Sequence, residues 1–250
     1  KNGAGDVEDN SDEQVIQIAR DANLPILAEL NNFRDGWQAG DLRQVLNSRA
    51  ARENLVDNIY SNLEEHHFAG VNVDLEQSSD RDREKMVAFM EELRAKLEPA
   101  GLILTQSVPT DDAAYDLKRL GAICDFIVPM VYDEHYQSGE PGPVASEDWF
   151  YNELENLAKV LPAKKTVVGF GNYGYDWMIG SREGGVEVSY GDVIAAAEAN
   201  QTGVAWDRDR ENPVLRYQNG STKHEVWFLD AVTGGPRPLD HVRGALLARG

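Results

Sequence analysis

Phe68-Ala69-Gly70-Val71-Asn72-Val73-Asp74-Leu75-Glu76-Gln77, written FAGVNVDLEQ, is the stretch that decides how the chain folds. Its apolar and polar residues alternate, the period of an extended strand. Val71, Val73 and Leu75 share one face, while Asn72, Asp74 and Glu76 share the other. The apolar face suits packing against helices, which turns the polar face to the other side of a sheet or the lumen of a barrel. Burying an amide and two carboxyls in a row is costly unless they are paired or neutralised. Close carboxylates avoid double ionisation, so one of them is expected to hold its proton to higher pH. A carboxylic acid protonated near neutrality is what general acid catalysis requires. Two competing readings apply to the same row: a wet, exposed strand face of an antiparallel sheet, and an oxygen site for Mg²⁺ or Ca²⁺. The second lacks support in any HxH, HExxH or EF-hand spacing.

Working outward, strand and helix patterns alternate on both sides of this stretch. A capping box at Ser11 and Gln14 opens a helix with Val15, Ile16 and Ala19 on its stripe. The run 24–30 reads as a strand ending at Asn31-Asn32. Helical patterns cover 41–66, with Leu55, Ile59 and Leu63 on one face, and 79–97, with Met86, Phe89, Met90, Leu93 and Leu97. Further strands are expected at 102–108, 125–131 and 165–170, separated by helices at 113–120 and 147–161. Alternation of this kind implies right-handed crossovers and a parallel sheet, with five parallel strands recognised. The C-terminal end of such strands is where (β/α)8 TIM barrels place their chemistry, and Glu76 stands nearest that rim. The tail differs. After a helix at 191–199, residues 200–230 read as a small antiparallel insertion with a hairpin turn at Asn219-Gly220, followed by a helix at 239–248. Residues 1–10 read as a flexible lead, and 11–250 as a single domain.

The chain has 250 residues, 43 acidic against 24 basic, for a net charge of −19. So negative a surface repels phosphate backbones and excludes nucleic acid as a partner, while neutral or cationic sugars are tolerated. No apolar run approaches the ~20 residues of a membrane-spanning helix, and the polar stretch after Lys1 has no apolar core of a secretory signal. The lone cysteine, Cys124, opens an apolar run and reads as a buried, inert thiol. The two sequons, at Asn200 and Asn219, carry little weight.

The motif AGVNVDLE resembles the DGxDxDxE signature of glycoside hydrolase family 18, the chitinase-like enzymes. MVYDEH, Met130–His135, is similar to that family's M-x-Y-D strand end. VGFGNYGYDW resembles its later strand and loop, and HEVWFLD the element before its last strand. YDEH with PGPVAS and GNYGYDW looks most like a bacterial subgroup whose hydrolase module is often joined to a polysaccharide deacetylase and a glycosyltransferase. The resemblance implies that Glu76 protonates the glycosidic oxygen. Asp74 would orient the substrate's own N-acetyl group and offset the oxazolinium that forms, and Tyr132 would hydrogen-bond the acetamido oxygen. Such a substrate-assisted reaction needs no protein nucleophile, metal or other cofactor. The expected substrate is a β-linked N-acetylglucosamine polysaccharide or a related exopolysaccharide, acted on by a monomeric chain outside the cytoplasm. Two departures stand out: Ala69 and Asn72 replace the first two aspartates of the signature, as Asn72 does in related spore and cell-wall enzymes. The family's barrel has eight strands; the resemblance begins near the third and stops before the eighth, so an incomplete barrel is expected.

Sugar sites stack ring faces on aromatics and bond rim hydroxyls with polar groups. Candidates to bind substrate are Asn72, Asn31, Asn32, Gln106 with Ser107, Met130, Asp133, Tyr173, Tyr175, Trp177 and Trp227, with Trp37 as a further aromatic. Tyr175, Trp177 and Trp227 read equally well as core, and Trp149, Phe150 and Phe89 better so. Asn31-Asn32 could equally end a strand. His135 reads as a solvated loop histidine or a neighbour that tunes Glu76. Besides a hydrolase, two other functions fit: a carbohydrate-binding module without catalysis, suggested by Asn72 and Ala69, and a metal-assisted phosphohydrolase on a barrel.

Overall fold

A computed structural model describes residues 3–230 and Thr233. They fall into two compact units, the first formed by the residues up to Pro129 with Lys164–Val167, the second by Met130–Ala163 and the residues from Val168 onward.

In the first unit, helix α1 (Glu13–Asp21) starts one residue later than the capping box at Ser11 suggests. Asp12 is the cap, its carboxylate accepting from the backbone N–H of Gln14 and Val15 at 2.8 and 3.3 Å, while Ser11 donates to Asp9. Only Ile16 of the expected stripe is buried. Strand β1 (Leu27–Asn31) follows. The helix expected over 41–66 is two, α2 (Ala39–Asn47) and α3 (Arg49–His66). Ser48 between them is extended and caps α3 through Ala51 N–H. Leu55, Ile59 and Leu63 are buried on α3 as their spacing requires. Residues 4–9, expected as a flexible lead, are tied to α3: Asn54 donates to Ala4 O, Asn58 to Gly5 O, and the His66 ring meets Asp9 at 2.7 Å.

Strand β2 (Gly70–Asp74) leads through a 3-10 turn capped by Ser79 into α4 (Arg83–Leu97). The apolar side of α4, Met86, Phe89, Met90, Leu93 and Leu97, is wholly buried. Strand β3 (Ile103–Pro109), helix α5 (Leu117–Ile123) and strand β4 (Phe126–Met130) complete a four-stranded sheet of order β1-β2-β3-β4. Helix α5 begins later than expected because Asp116 caps it, accepting from Arg119 N–H. Both ladders of β2 are parallel, pairing Asn31 with Asp74 and Asn72 with Thr105. The fifth expected strand, 165–170, is reduced to two parallel bridges, Ile127 to Thr166 and Met130 to Gly169.

The second unit holds α6 (Glu147–Leu157) and an antiparallel sheet. Its elements are β5 (Gly174–Met178), β6 (Val186–Val188), helix α7 (Tyr190–Ala199), β7 (Ala205–Asp207), β8 (Asn212–Asn219) and β9 (Thr222–Phe228). The strand order is β6-β5-β9-β8-β7. This sheet begins at residue 174, well before the insertion expected at 200–230. The Gly-rich GNYGYDW follows the strand expected at 165–170, yet Tyr175 and Trp177 alternate with Asp176 and bury as a strand of their own. Asn219 pairs with Thr222, so the two-residue turn is Gly220-Ser221, one residue later than expected; Gly220 takes the positive φ of 60° that the turn needs. The helix expected at 239–248 lies outside the described residues.

Gly70 pairs with Ile103 at the start of the β2–β3 ladder. A Cβ there would lie 2.0 Å from the Ile103 carbonyl oxygen, a backbone atom with no rotamer to give way. Gly70→Ala is expected to lower stability by about 1–3 kcal/mol, measured by denaturant melts; an unchanged midpoint would show that β3 can yield.

Candidate active site

Partners in a parallel ladder share a face of the sheet. The polar face of the first unit therefore carries Glu29 and Asn31 on β1, Asn72 and Asp74 on β2, and Thr105 and Ser107 on β3. Val71 and Val73 turn to the other face, 1% and 0% exposed, with Leu104 and Gln106 beside them. Gln106, expected at the substrate rim, is thus on the apolar face and fully buried. Ser107, its neighbour, is the residue that faces the row. A single residue of register separates the two, because side chains alternate with a period of two.

Asn72 is held at both ends of its amide. It donates to the Ser107 hydroxyl at 2.9 Å and accepts from the Thr105 hydroxyl at 2.8 Å. Asp74, two residues along, has no such support: its Oδ1 is buried without a hydrogen-bond partner. Desolvation, with a smaller contribution from the Glu29 charge, raises its pKa from 3.8 to about 6. Of the two carboxyls expected to divide their proton affinities, Asp74 is thus one that shifts upward, for the reason of burial.

Glu76 lies just past the end of β2, half-buried. Its backbone is clamped. The Asn32 side chain donates from Nδ2 to Glu76 O at 3.0 Å and accepts Glu76 N–H on Oδ1 at 2.9 Å. The ladder's last pair is Asn31 with Asp74, so the Asn32 amide stands in for the next rung. Tyr115, 3% exposed, donates its hydroxyl to Leu75 O at 2.5 Å. Burial first, then the charges of Asp112, Glu76 and Asp74, push the phenol pKa of Tyr115 up. Tyr115 had no signal in the sequence beyond a place near a short helix. Asn31 is also engaged locally, donating to Glu29 and accepting from Phe33 N–H. Both asparagines expected to meet substrate thus have structural work. Next to Asn32 stands Phe33, 57% exposed and edge-on to Trp37 with rings 5.3 Å apart.

In the second unit, Tyr132 and Asp133 follow β4, with Asp133 in the left-handed region at φ 64°. Asp133 Oδ1 accepts from Tyr173 at 2.5 Å and from Tyr175 at 3.1 Å. Burial, and then the bond to Asp133, raises the Tyr173 phenol pKa. Tyr132 meets Tyr173 edge-on at 6.0 Å, and Gly171 leaves room for it, since a Cβ there would stand 2.9 Å from Tyr132 Cβ. Met130 is half-buried at the end of β4. Tyr175, Trp177 and Trp227, at 7%, 3% and 4% exposure, belong to a core cluster with Val144, Val214 and Leu229. Their rings are packed, which favours the core alternative for all three. Trp149 and Phe150 pack against that cluster as expected. Among the described residues, no three His, Cys, Asp or Glu side chains converge as a metal ion would require, and no helix is long and apolar enough to cross a membrane.

The first unit ends β2 in two carboxyls on the polar face of a parallel sheet, and the second unit holds an antiparallel sheet. The chain belongs to a family of carbohydrate-cleaving enzymes: residues 6–233 match the model of Glycosyl hydrolases family 18. Its fold class is the (β/α)-barrel type expected from the sequence. Among known proteins, it is 33% identical over 239 residues to the "Putative sporulation-specific glycosylase YdhD" of Bacillus subtilis (strain 168), covering 90% of this chain and 57% of that protein. It is 29% identical to the cortical fragment-lytic enzyme of the same organism, covering 86% of this chain and 53% of the relative. The chain therefore spans little more than half the length of these two relatives. The solved structure of YdhD superposes with a TM-score of 0.88 at 30% identity, over 99% of this chain and 85% of that one. A chitinase from Chromobacterium violaceum ATCC 12472 superposes at 0.83 with 28% identity, over 93% and 77%.

The raised pKa of Asp74 has a consequence for stability. A carboxyl that holds its proton more tightly when folded adds stability that is full below about pH 3.8 and is lost as pH rises through about 6. Asp74→Asn, which keeps the shape and removes the charge, is expected to melt higher than the wild type at neutral pH. The gap should close below about pH 4, where both are uncharged. Equal melting temperatures across this range would mean that Asp74 is well solvated.

Proposed function

We propose that the chain hydrolyses β-linked N-acetylglucosamine-containing polysaccharide with retention, using the substrate's own acetamido group as nucleophile. The observation that carries this reading is the pair at the end of β2: Asp74 desolvated with an unpartnered oxygen, and Glu76 two residues on with its backbone anchored. Glu76 donates a proton to the glycosidic oxygen as the bond to the anomeric carbon breaks. The acetamido oxygen attacks that carbon and closes an oxazolinium ring. Asp74, ionised, holds the acetamido N–H and offsets the ring's positive charge in a site of low polarity, where such an interaction is strong. Water then opens the ring, returning its proton to Glu76. The part played by Tyr132, bonding the acetamido oxygen, comes from the family resemblance.

Family membership supports a glycoside hydrolase over a phosphohydrolase, as does the net charge of −19. The relatives named for lysis of cortical fragments and for sporulation support a cell-wall polysaccharide met outside the cytoplasm. The resemblance to a subgroup often joined to deacetylase and glycosyltransferase modules supports instead a related exopolysaccharide. Products from defined oligomers of both kinds, read by mass, decide between these substrates.

Glu76→Gln is expected to lower turnover by about 10²-fold or more while leaving the melting temperature nearly unchanged. Release of no product by the wild type, with oligosaccharide binding intact, would make the chain a binding module. The wild-type kcat/KM should fall on the acid side of about pH 6 as Asp74 takes up its proton, and a thiazoline mimic of the cyclised intermediate should bind tightly. A flat profile from about pH 5 to 7 would remove Asp74 from the charge-stabilising role.

A further inference from the structure

Glu76 sits past the last rung of the β1–β2 ladder, where strand pairing no longer restrains the chain. A proton donor must nonetheless be held within a fraction of an ångström of its target, because small misplacements cost large factors in rate. The structure supplies that restraint with two side chains outside the carboxyl row. The peptide joining Leu75 to Glu76 has both its polar groups taken by side chains, its C=O by the Tyr115 hydroxyl at 2.5 Å and its N–H by Asn32 Oδ1 at 2.9 Å. The next carbonyl, that of Glu76 itself, accepts from Asn32 Nδ2 at 3.0 Å. Leu75 is 4% exposed, which pins the residue before the peptide, and Gln77 turns the chain away at φ 54°.

Resting on the hydrolase reading above, we propose that Asn32 and Tyr115 are positioning residues for Glu76. They fix the acid through its backbone and make no contact with sugar themselves. Asn32 suits this task because an amide side chain alone offers a donor and an acceptor side by side, matching the backbone edge it replaces. Tyr115 suits it because a rigid, buried ring carries its hydroxyl with little freedom to lose. This reassigns Asn32, expected from sequence to bind substrate.

The test compares Asn32→Ala and Tyr115→Phe with the wild type on two substrates. One is an N-acetylglucosamine oligomer, whose leaving alcohol must be protonated. The other is the dinitrophenyl glycoside of the same sugar, whose phenolate departs without a proton. A residue acting through the acid lowers kcat on the oligomer by about tenfold or more, leaves KM in place, and has a much smaller effect on the aryl glycoside. Amide hydrogen exchange at Glu76 should be slow in the wild type and faster in Asn32→Ala. An equal fall on both substrates would reduce the two residues to general structural support. An unchanged kcat would overturn the positioning role while leaving the hydrolase proposal intact. If Asn32→Ala does not fold, Tyr115→Phe, which removes one oxygen, decides by the same ratio of effects. A wild type inactive on both substrates removes the hydrolase reading, and this role with it.

Discussion

A half-buried carboxyl with one oxygen sealed from water and partners is the constraint around which the first unit is arranged. Asp74 gains no hydrogen bond on one of its oxygens and loses the water it would have when unfolded. That cost is tolerable because the neighbouring position on the same face is neutral. Asn72, in place of an aspartate, binds two hydroxyls of β3 and adds no charge to the row. A second carboxylate there would raise the electrostatic cost of ionising Asp74 further. The departure from the family signature at Asn72 therefore reads as a way of holding the strand face together. The carboxyl left most exposed to this tension is the one given the charge-stabilising role in the proposed reaction.

Polar residues near the site divide into scaffold and working groups. Asn31, Asn32, Asn72, Thr105, Ser107 and Tyr115 spend hydrogen bonds on one another, on Glu29 or on backbone. What they hold still is the short path from Asp74 to Glu76. In the second unit a comparable arrangement surrounds Asp133, which gathers two phenol donors on one oxygen. There too the aromatic rings are fixed by packing, with Tyr175 and Trp177 alternating along β5 into the core.

Much of this was legible in the chain itself. The alternation over 70–76 set β2 and its two faces, and the stripes of α3 and α4 matched their burial because helical spacing determines which side meets the sheet. Errors gathered where a local signal had a close competitor. Ser11 and Asp12 are both good caps, and Asp12 won. Ser48 broke a helix whose stripe continued on either side. The glycines around Tyr173 masked β5, whose two-residue period is short and interrupted. Gln106 and Ser107 were indistinguishable without the register of β3 against β2.

Sequence alone determined the class of fold and put Asp74 and Glu76 on one face of one strand, because these follow from periodicity, while the family came from the resemblance of its motifs. Only the tertiary structure decided which polar side chains serve as scaffold, why Asp74 binds its proton so tightly, and how Glu76 is held. Those properties arise from groups 33 to 44 residues apart in the chain, brought to β2 by β3 and by the segments that follow β1 and β3. Hydrogen bonds of this kind, and the loss of water that accompanies them, leave no periodic trace in the order of residues.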